Sequence, residues 1–143
     1  MSKQRTQVAD WMTRDPVTTS MDMSLAEAYE LMSENEIRRL LVTRDDELVG
    51  IITMSDILRT IPALLVETDR ETRLLRGTQQ VREVVTRDPV TVDPEDTVQD
   101  TAERMLEYQV SGLPVVDGRT PVGIITESDI FRLVVDSWAD GEN

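Results

Sequence analysis

The chain has 143 residues, the length of one ordinary domain with its own hydrophobic core. It contains no cysteine and no histidine, which excludes disulfides, thiolate nucleophiles, the usual zinc sites and imidazole acid–base catalysis. Its net charge of −13 repels phosphate backbones and anionic lipids, so we expect no nucleic-acid and no membrane partner. The apolar runs are far shorter than the roughly 20 residues that cross a bilayer, and the first residues lack the apolar core of a signal peptide, so the predicted location is the cytoplasm.

Arginine supplies nearly all of the positive charge. Lys3 is the only lysine, so 14 of the 15 basic residues are arginine. In a salt-saturated cytoplasm, acidic self-repulsion is screened over about 3 Å at 1 M salt, while carboxylates keep the surface hydrated. The composition therefore predicts a halophilic, archaeal host, with an ordinary acidic mesophilic protein as the alternative.

The chain contains an internal repeat. Residues 8–61 align without a gap with residues 81–134, at an offset of 73, and 21 of the 54 pairs are identical. We therefore divide the chain into a first repeat at residues 8–61, a helical connector at 62–80, a second repeat at 81–135 and a C-terminal tail at 136–143. A unit of this size buries little surface alone, so the two repeats are expected to pack together.

The first repeat predicts a β-α-β-β-α order behind a short helical approach that carries Val8, Trp11 and Met12. A β-branched strand at residues 16–19 comes first, and the capping box Ser24-x-x-Glu27 then predicts a helix. The apolar face of this helix consists of Leu25, Ala28, Tyr29 and Met32. A hairpin follows at residues 40–53 with its turn at residues 44–47, and a final helix begins near Ser55.

The second repeat predicts the same order. Its approach carries Val81, Val84 and Val85, its first strand spans residues 89–92, and Thr97-x-x-Asp100 opens a helix with Val98, Ala102 and Met105 on its apolar face. Its hairpin is predicted to turn at Asp117-Gly118, since both central positions of a tight turn take positive φ. The predicted fold class is α+β, with two repeats packed by pseudo-two-fold symmetry through their sheets.

The motif Gly-Ile-Ile-Thr-x-Ser-Asp starts at Gly50 and again at Gly123, where a strand leads into a helix. Glycine lets a ligand or a neighbouring backbone come close, and the Thr hydroxyl can cap the helix or meet a phosphate beside the free N–H groups of the helix. The Asp carboxylate can accept hydrogen bonds from a ribose diol. The alternative is structural, because Thr53-x-x-Asp56 and Thr126-x-x-Asp129 also have the spacing of capping boxes.

The doubled and ordered motifs resemble a pair of CBS (cystathionine-β-synthase-type) domains, an arrangement called a Bateman module. In the first repeat the resemblance is carried by Met12-Thr13-x-x-Pro16-Val17-Thr18, Leu25-x-x-Ala28-x-x-x-Met32, Ile37-Arg38-Arg39-Leu40-Leu41-Val42 and residues 50–56. In the second repeat it is carried by Thr86-x-x-Pro89-Val90-Thr91-Val92, Met105, residues 110–117 and residues 123–129. It extends over nearly the whole chain, and the set as a whole is specific.

The resemblance implies a regulatory module that binds adenosine-containing ligands, namely AMP, ADP or ATP, in two crosswise clefts. One cleft would contain Thr126 and Asp129 for phosphate and ribose, with Ile124, Met12, Thr13, Val17, Ile37 and Arg38. The other would contain Thr53 and Asp56, with Ile51, Val85, Thr86, Val90, Val110 and Ser111. We expect no catalytic residue, no bound metal and no catalytic cofactor, and the adenine nucleotide would be a regulatory ligand with or without Mg²⁺.

Arginines distinguish the two clefts. Arg38 and Arg39 replace Ser111 and Gly112 of the second repeat, so we expect polyphosphate at the Thr126 cleft; the alternative is pairing with acidic surface neighbours. Leu41 stands where the family has proline, which affects the shape of that cleft. Arg59 and Arg132 form a second candidate phosphate pair, with a solvated helix face as the alternative.

Three functions are compatible with these features of the sequence. The first is a non-enzymatic, stand-alone sensor of adenine nucleotides, or of S-adenosylmethionine or NAD, that acts on an unknown effector protein or carries its ligand. The second is a dimerisation scaffold with vestigial clefts, and the third is a magnesium-dependent hydrolase, which the absence of histidine and of an Asp-x-Asp pair disfavours. The resemblance also implies a homodimer through apolar helix residues, which are Leu58, Ile61, Phe131, Val134 and Val135.

Overall fold

The computed structural model describes residues 6–60 and 79–141 as an α+β structure with two sheets, which confirms the predicted fold class. The helices are α1 (Val8–Trp11), α2 (Leu25–Glu34), α3 (Met54–Leu58), α4 (Val98–Tyr108) and α5 (Glu127–Gly141), with a 3-10 turn at Val81–Glu83. The strands are β1 (Thr13–Arg14), β2 (Thr18–Thr19), β3 (Arg39–Arg44), β4 (Glu47–Thr53), β5 (Thr86–Arg87), β6 (Gly112–Asp117) and β7 (Thr120–Thr126). No helix within these residues is long and apolar enough to cross a membrane.

The chain divides into two compact units whose bounds differ from those of the repeats. The first unit contains residues 17–60 and 79–89, and the second contains residues 6–16 and 90–141. The opening segment of each repeat therefore packs on the body of the other repeat. Two antiparallel pairings cause this exchange, because β1 pairs with β7 and β5 pairs with β4. The predicted connector lies outside the described residues except for its last two positions.

The first unit has a four-stranded sheet in the order β2-β3-β4-β5, in which only β2 and β3 run parallel. The hairpin of β3 and β4 turns at Asp45 and Asp46, as predicted, with φ of 52° and 65°. Two positive φ values define a type I′ turn, which matches the twist of the flanking strands. The core lies between α2 and the sheet and contains Leu25, Ala28, Met32, Leu40, Val42, Ile52, Ile57 and Val81.

Helix α2 begins at the predicted residue. The Ser24 side chain accepts a hydrogen bond of 3.1 Å from the Glu27 N–H, which is the N-cap half of the predicted box. The prediction for Tyr29 is wrong, because this residue is 43% exposed while Leu25, Ala28 and Met32 are buried. At i+4 from Leu25, Tyr29 stands at the edge of the apolar stripe, and its ring faces solvent.

The second unit has a three-stranded antiparallel sheet in the order β1-β7-β6. The prediction of a strand at residues 89–92 is wrong. Of these residues only Val92 pairs with another strand, through a single parallel bridge to Val115. Pro89 has no N–H to contribute to a ladder. The buried face of α4 also differs from the predicted one, since Thr101 is fully buried and Ala102 is only partly buried. The Thr101 hydroxyl donates to the Thr97 carbonyl at 3.0 Å, which satisfies this polar group inside the core.

The second hairpin turns one residue later than predicted. Asp117 pairs with Thr120 at the end of the ladder, so the central residues are Gly118 and Arg119. Gly118 has a φ of 68°, whereas Asp117 and Arg119 both have a negative φ. One positive φ at the first central position is the pattern of a type II′ turn, which glycine favours.

Helices α2 and α4 end in the same way. Glu36 and Gln109 each adopt a left-handed φ of 55°, and the following N–H bonds back to the last turn. The bonds are Ile37 N–H to the Met32 carbonyl at 2.9 Å and Val110 N–H to the Met105 carbonyl at 3.0 Å. This is the hydrogen bond of a Schellman end, formed without glycine. Helix α5 has no such end near residue 135 and continues to Gly141 through most of the predicted tail.

Candidate functional site

Each unit holds one copy of the Gly-Ile-Ile-Thr-x-Ser-Asp motif at a strand-to-helix junction. In the first unit β4 ends at Thr53 and α3 follows at once, and in the second unit β7 ends at Thr126 and α5 follows. The Thr backbone is still extended, with φ of −112° and ψ of 161° at Thr53, so the side chain is placed to cap the helix.

In the first unit, Thr53 and Asp56 form a reciprocal capping box. The Asp56 N–H donates to Thr53 Oγ1 at 3.1 Å, and the Thr53 N–H donates to Asp56 Oδ2 at 2.9 Å. The other carboxylate oxygen, Oδ1, forms an ion pair with Arg59. The structural interpretation of the motif is therefore confirmed at this copy, and both Asp56 oxygens have a partner.

In the second unit, the same residues bond differently. Asp129 Oδ2 accepts from the Thr126 N–H at 2.8 Å and from the Thr126 hydroxyl at 3.2 Å, and Oδ1 forms an ion pair with Arg132. Asp129 is only 3% exposed. A hydroxyl has one proton to donate. The Thr126 hydroxyl donates this proton to Asp129. The Thr53 hydroxyl oxygen instead accepts from the Asp56 N–H, so its proton remains available to a ligand. The two copies therefore present different hydrogen-bonding groups to a ligand.

Arg59 and Arg132, candidates for a phosphate-binding pair on sequence grounds, both already have an ionic partner. Each is bonded to the Asp three residues before it. Opposite charges at this spacing on a helix are neighbours. That rule, applied to the sequence, is the signal that would have found these ion pairs.

The helix starts also offer fewer free N–H groups than predicted. The Met54 N–H donates to the Arg38 carbonyl at 2.7 Å, and the Glu127 N–H donates to the Ser111 carbonyl at 3.0 Å. In the first unit the Asp56 N–H is bound by Thr53. The residues predicted for the cleft walls thus contact the helix start through their backbone.

Close backbone approach explains the motif glycines. A Cβ on Gly50 would lie 2.9 Å from the Thr86 carbonyl oxygen, and a Cβ on Gly123 would lie 2.8 Å from the Thr13 carbonyl oxygen. Such distances are too short for any side chain. Gly50 therefore leaves room for the short strand β5, and Gly123 leaves room for the short strand β1.

Ten of the sixteen predicted ligand residues gather into two equivalent clusters, one in each unit. Thr13 pairs with Ile124 in the ladder of β1 and β7, and Thr86 pairs with Ile51 in that of β4 and β5. The cluster of the second unit contains Met12, Thr13, Ile124, Thr126 and Asp129. The cluster of the first unit contains Ile51, Thr53, Asp56, Val85 and Thr86.

The other six predicted residues do not lie in the unit that contains the Thr and the Asp of the cleft to which they were assigned. Val17, Ile37 and Arg38 lie in the first unit, and Val90, Val110 and Ser111 lie in the second. Arg39, expected to flank the Thr126 cleft, also lies in the first unit, where it faces Thr53 in the ladder of β3 and β4. Each unit thus adds to its own cluster the carbonyl of residue 38 or 111.

Comparison with known proteins identifies the family. The model of the CBS domain family matches residues 8–63 and 81–136. An uncharacterized protein of Methanocaldococcus jannaschii is 33% identical over 92% of this chain, which corresponds to 32% of that protein. This chain spans between 23% and 32% of the length of three curated relatives that it matches.

Solved structures of CBS domain pairs share the fold. The CBS domain pair of protein MJ0100, in complex with 5′-methylthioadenosine and S-adenosyl-L-methionine, is 31% identical with a TM-score of 0.77, over 92% of this chain and 98% of that one. CBSX2 in complex with AMP is 26% identical with a TM-score of 0.77, over 92% of this chain and 97% of that one.

Proposed function

This chain belongs to the CBS domain family, and on that premise we propose that it is a non-enzymatic regulatory module with an adenosine-binding subsite in each unit. The observation that carries the proposal is the pair of equivalent clusters, each with a Thr and an Asp at a helix start beside a short antiparallel strand. Both related structures described above contain a ligand with an adenosine group. The shared group, rather than any one nucleotide, defines the ligand class.

In this proposal the carboxylates of Asp56 and Asp129 accept hydrogen bonds from ribose hydroxyls. Each carboxylate has two oxygens with about four lone-pair positions, so a diol can bind beside the backbone N–H that already donates. The arginine on Oδ1 is the partner that a diol displaces, because its own side chain is 74% exposed at Arg59 and 64% exposed at Arg132. The displaced guanidinium is then available to a phosphate of AMP, ADP or ATP, with or without Mg²⁺.

Thermal unfolding of the whole chain in molar KCl tests the proposal, with AMP, ADP, ATP, S-adenosylmethionine or NAD added. A ligand at 100 times its Kd adds about 2.7 kcal/mol, which raises the midpoint by about 5–10 °C. Asp56→Asn and Asp129→Asn should each remove part or all of the ligand-induced rise. Asp46→Asn and Asp136→Asn, at exposed positions outside the clusters, are the matched controls and should retain it. Absence of a rise with all five ligands would reject the proposal and favour a scaffold.

An exposed apolar face on α5 favours self-association as a second function. Phe131, Val135 and Trp138 are 65%, 60% and 66% exposed and follow one another at helical spacing. Val134 is partly buried, Leu58 on α3 is 45% exposed, and Ile61 lies outside the described residues. We propose that this face joins two copies into a homodimer whose arrangement responds to the ligand and is recognised by an effector. In sedimentation equilibrium Phe131→Glu should give monomers, whereas Arg104→Glu, on α4, should not.

A further inference from the structure

A cavity of about 630 Å³ lies in the first unit, at the end of the sheet where β3 turns into β4. Its volume falls within the range of about 300–1,000 Å³ that small-molecule sites occupy. None of the described residues that line it belongs to the adenosine cluster of the first unit, which contains Ile51, Thr53, Asp56, Val85 and Thr86. Along β4, Val49 lies four residues, or about 13 Å of strand, before Thr53, the residue that caps α3. The cavity is therefore distinct from the proposed adenosine subsite.

Six charged side chains line the cavity, three of each sign. These are Arg44, Arg82, Arg87, Asp22, Asp45 and Asp88. Arg82 forms an ion pair with Asp22, and its Nε donates to Gln80 Oε1 at 2.9 Å, so this pair is internally satisfied. Within residues 6–60 and 79–141, the other two arginines and two aspartates form neither ion pairs nor side-chain hydrogen bonds. Two cations and two anions thus line one cavity without neutralising one another.

The backbone that carries these four side chains is held by the hydrogen-bonded ladders of the sheet. Arg44 closes the ladder of β3 and β4 opposite Glu47, and Asp45 follows it in the type I′ turn. Arg87 pairs with Gly50, and the Asp88 N–H donates to the Val49 carbonyl at 3.4 Å. The charges are therefore held on the rim of a formed sheet, which is the kind of preorganisation that favours binding.

The second unit provides an internal comparison, since it carries the same elements at an offset of 73 residues. Arg44 and Asp45 correspond there to Asp117 and Gly118, and Arg82 corresponds to Ala9. Arg14, which corresponds to Arg87, donates to the Ala9 carbonyl at 3.2 Å. The balanced set of unpaired charges is thus a property of the first unit and not of the fold that the units share.

We propose that this cavity binds a small zwitterion of the α-amino acid class. The carboxylate of the ligand pairs with the guanidiniums of Arg44 and Arg87, and its ammonium group pairs with the carboxylates of Asp45 and Asp88. A phosphate or another simple anion would meet the two aspartates, and a simple cation would meet the two arginines, so a ligand with both charges fits best. The volume leaves room for the amino acid side chain.

The test is calorimetric titration of the whole chain with each of the proteinogenic amino acids at neutral pH. We expect at least one to bind, and its N-acetyl and carboxamide derivatives, which each lack one charge, to bind about ten- to a hundredfold more weakly. Arg44→Asp and Arg87→Gln should weaken binding to the same extent. Arg44→Asp should fold, since the equivalent hairpin carries Asp117, and circular dichroism checks this.

Two further variants make the result specific. Arg14→Gln, the equivalent of Arg87→Gln in the second unit, should leave amino acid affinity within about twofold. Asp56→Asn should also leave it unchanged, which separates this site from adenosine binding. The proposal is overturned if no amino acid binds, if the singly charged derivatives bind equally well, or if Arg44→Asp and Arg87→Gln retain full affinity.

Discussion

The carbonyl oxygen of Thr86 lies 2.9 Å from the position that a Cβ atom on Gly50 would occupy, and Thr13 stands in the same relation to Gly123 at 2.8 Å. Each contact joins the opening segment of one repeat to the sheet of the other. The glycines are therefore required by the exchange of segments between repeats, at the point where the candidate clusters are built.

Gly50→Ala and Gly123→Ala should each destabilise the protein by about 1–3 kcal/mol, because the added methyl group meets a backbone oxygen that cannot rotate away. Denaturant unfolding in molar KCl measures this. Asp46→Asn is the control, since this residue is exposed in the type I′ turn of the first hairpin and asparagine tolerates its φ of 65°. Equal stability of the Gly50 and control variants would contradict the close contact.

The two motif threonines should differ in their contribution to stability. Thr126→Val removes a hydroxyl that donates to the buried Asp129 carboxylate and should cost about 1.5–3 kcal/mol. Thr53→Val removes an N-cap acceptor and should cost about 1 kcal/mol. Denaturant midpoints compare the two, with Thr53→Ser and Thr126→Ser as controls that keep the hydroxyl. A larger loss for Thr53→Val would reverse the assignment of the hydroxyl roles.

Removal of the helix arginines should help a ligand that carries no phosphate. In Arg59→Gln and Arg132→Gln, the Oδ1 atom of the neighbouring Asp no longer has an ionic partner that ribose must displace. Because the arginine side chains of both pairs are mostly exposed to solvent, which screens each pair to about 1 kcal/mol or less, the affinity for adenosine should rise by no more than about fivefold. Calorimetry with adenosine measures this, and Arg104→Gln is the control. Weaker adenosine binding in the variants would show that the arginines hold the ligand instead.

Stability should depend on salt. With a net charge of −13, the folded chain repels itself at low ionic strength, so the unfolding temperature should fall as KCl is reduced from about 2 M to about 0.1 M. A variant with four exposed glutamates changed to glutamine should lose part of this dependence; the positions are Glu30, Glu34, Glu103 and Glu107. The same unfolding temperature in both salts would contradict the predicted halophilic origin.

Much of the local structure was predictable from the sequence because it depends on neighbours in the chain. Ser24, Thr53 and Thr97 cap helices through residues three positions away, and the turn at Asp45 and Asp46 joins adjacent strands. Because the two repeats align at an offset of 73 residues, each prediction for one repeat also applied to the other. The same alignment identified Thr126 and Asp129 as the equivalents of Thr53 and Asp56.

The exchange of segments between the repeats was decided only by the tertiary structure. Thr13 is followed by more than a hundred residues before its partner Ile124, and no local periodicity specifies such a pairing. The same applies to the cavity charges around Arg44 and Arg87, which lie on different strands. Hydrogen bonds within one turn follow from residue spacing, whereas contacts between distant segments depend on how the whole core packs. The sequence by itself therefore determined the repeats and their helix caps, and the tertiary structure decided which segments complete each cluster.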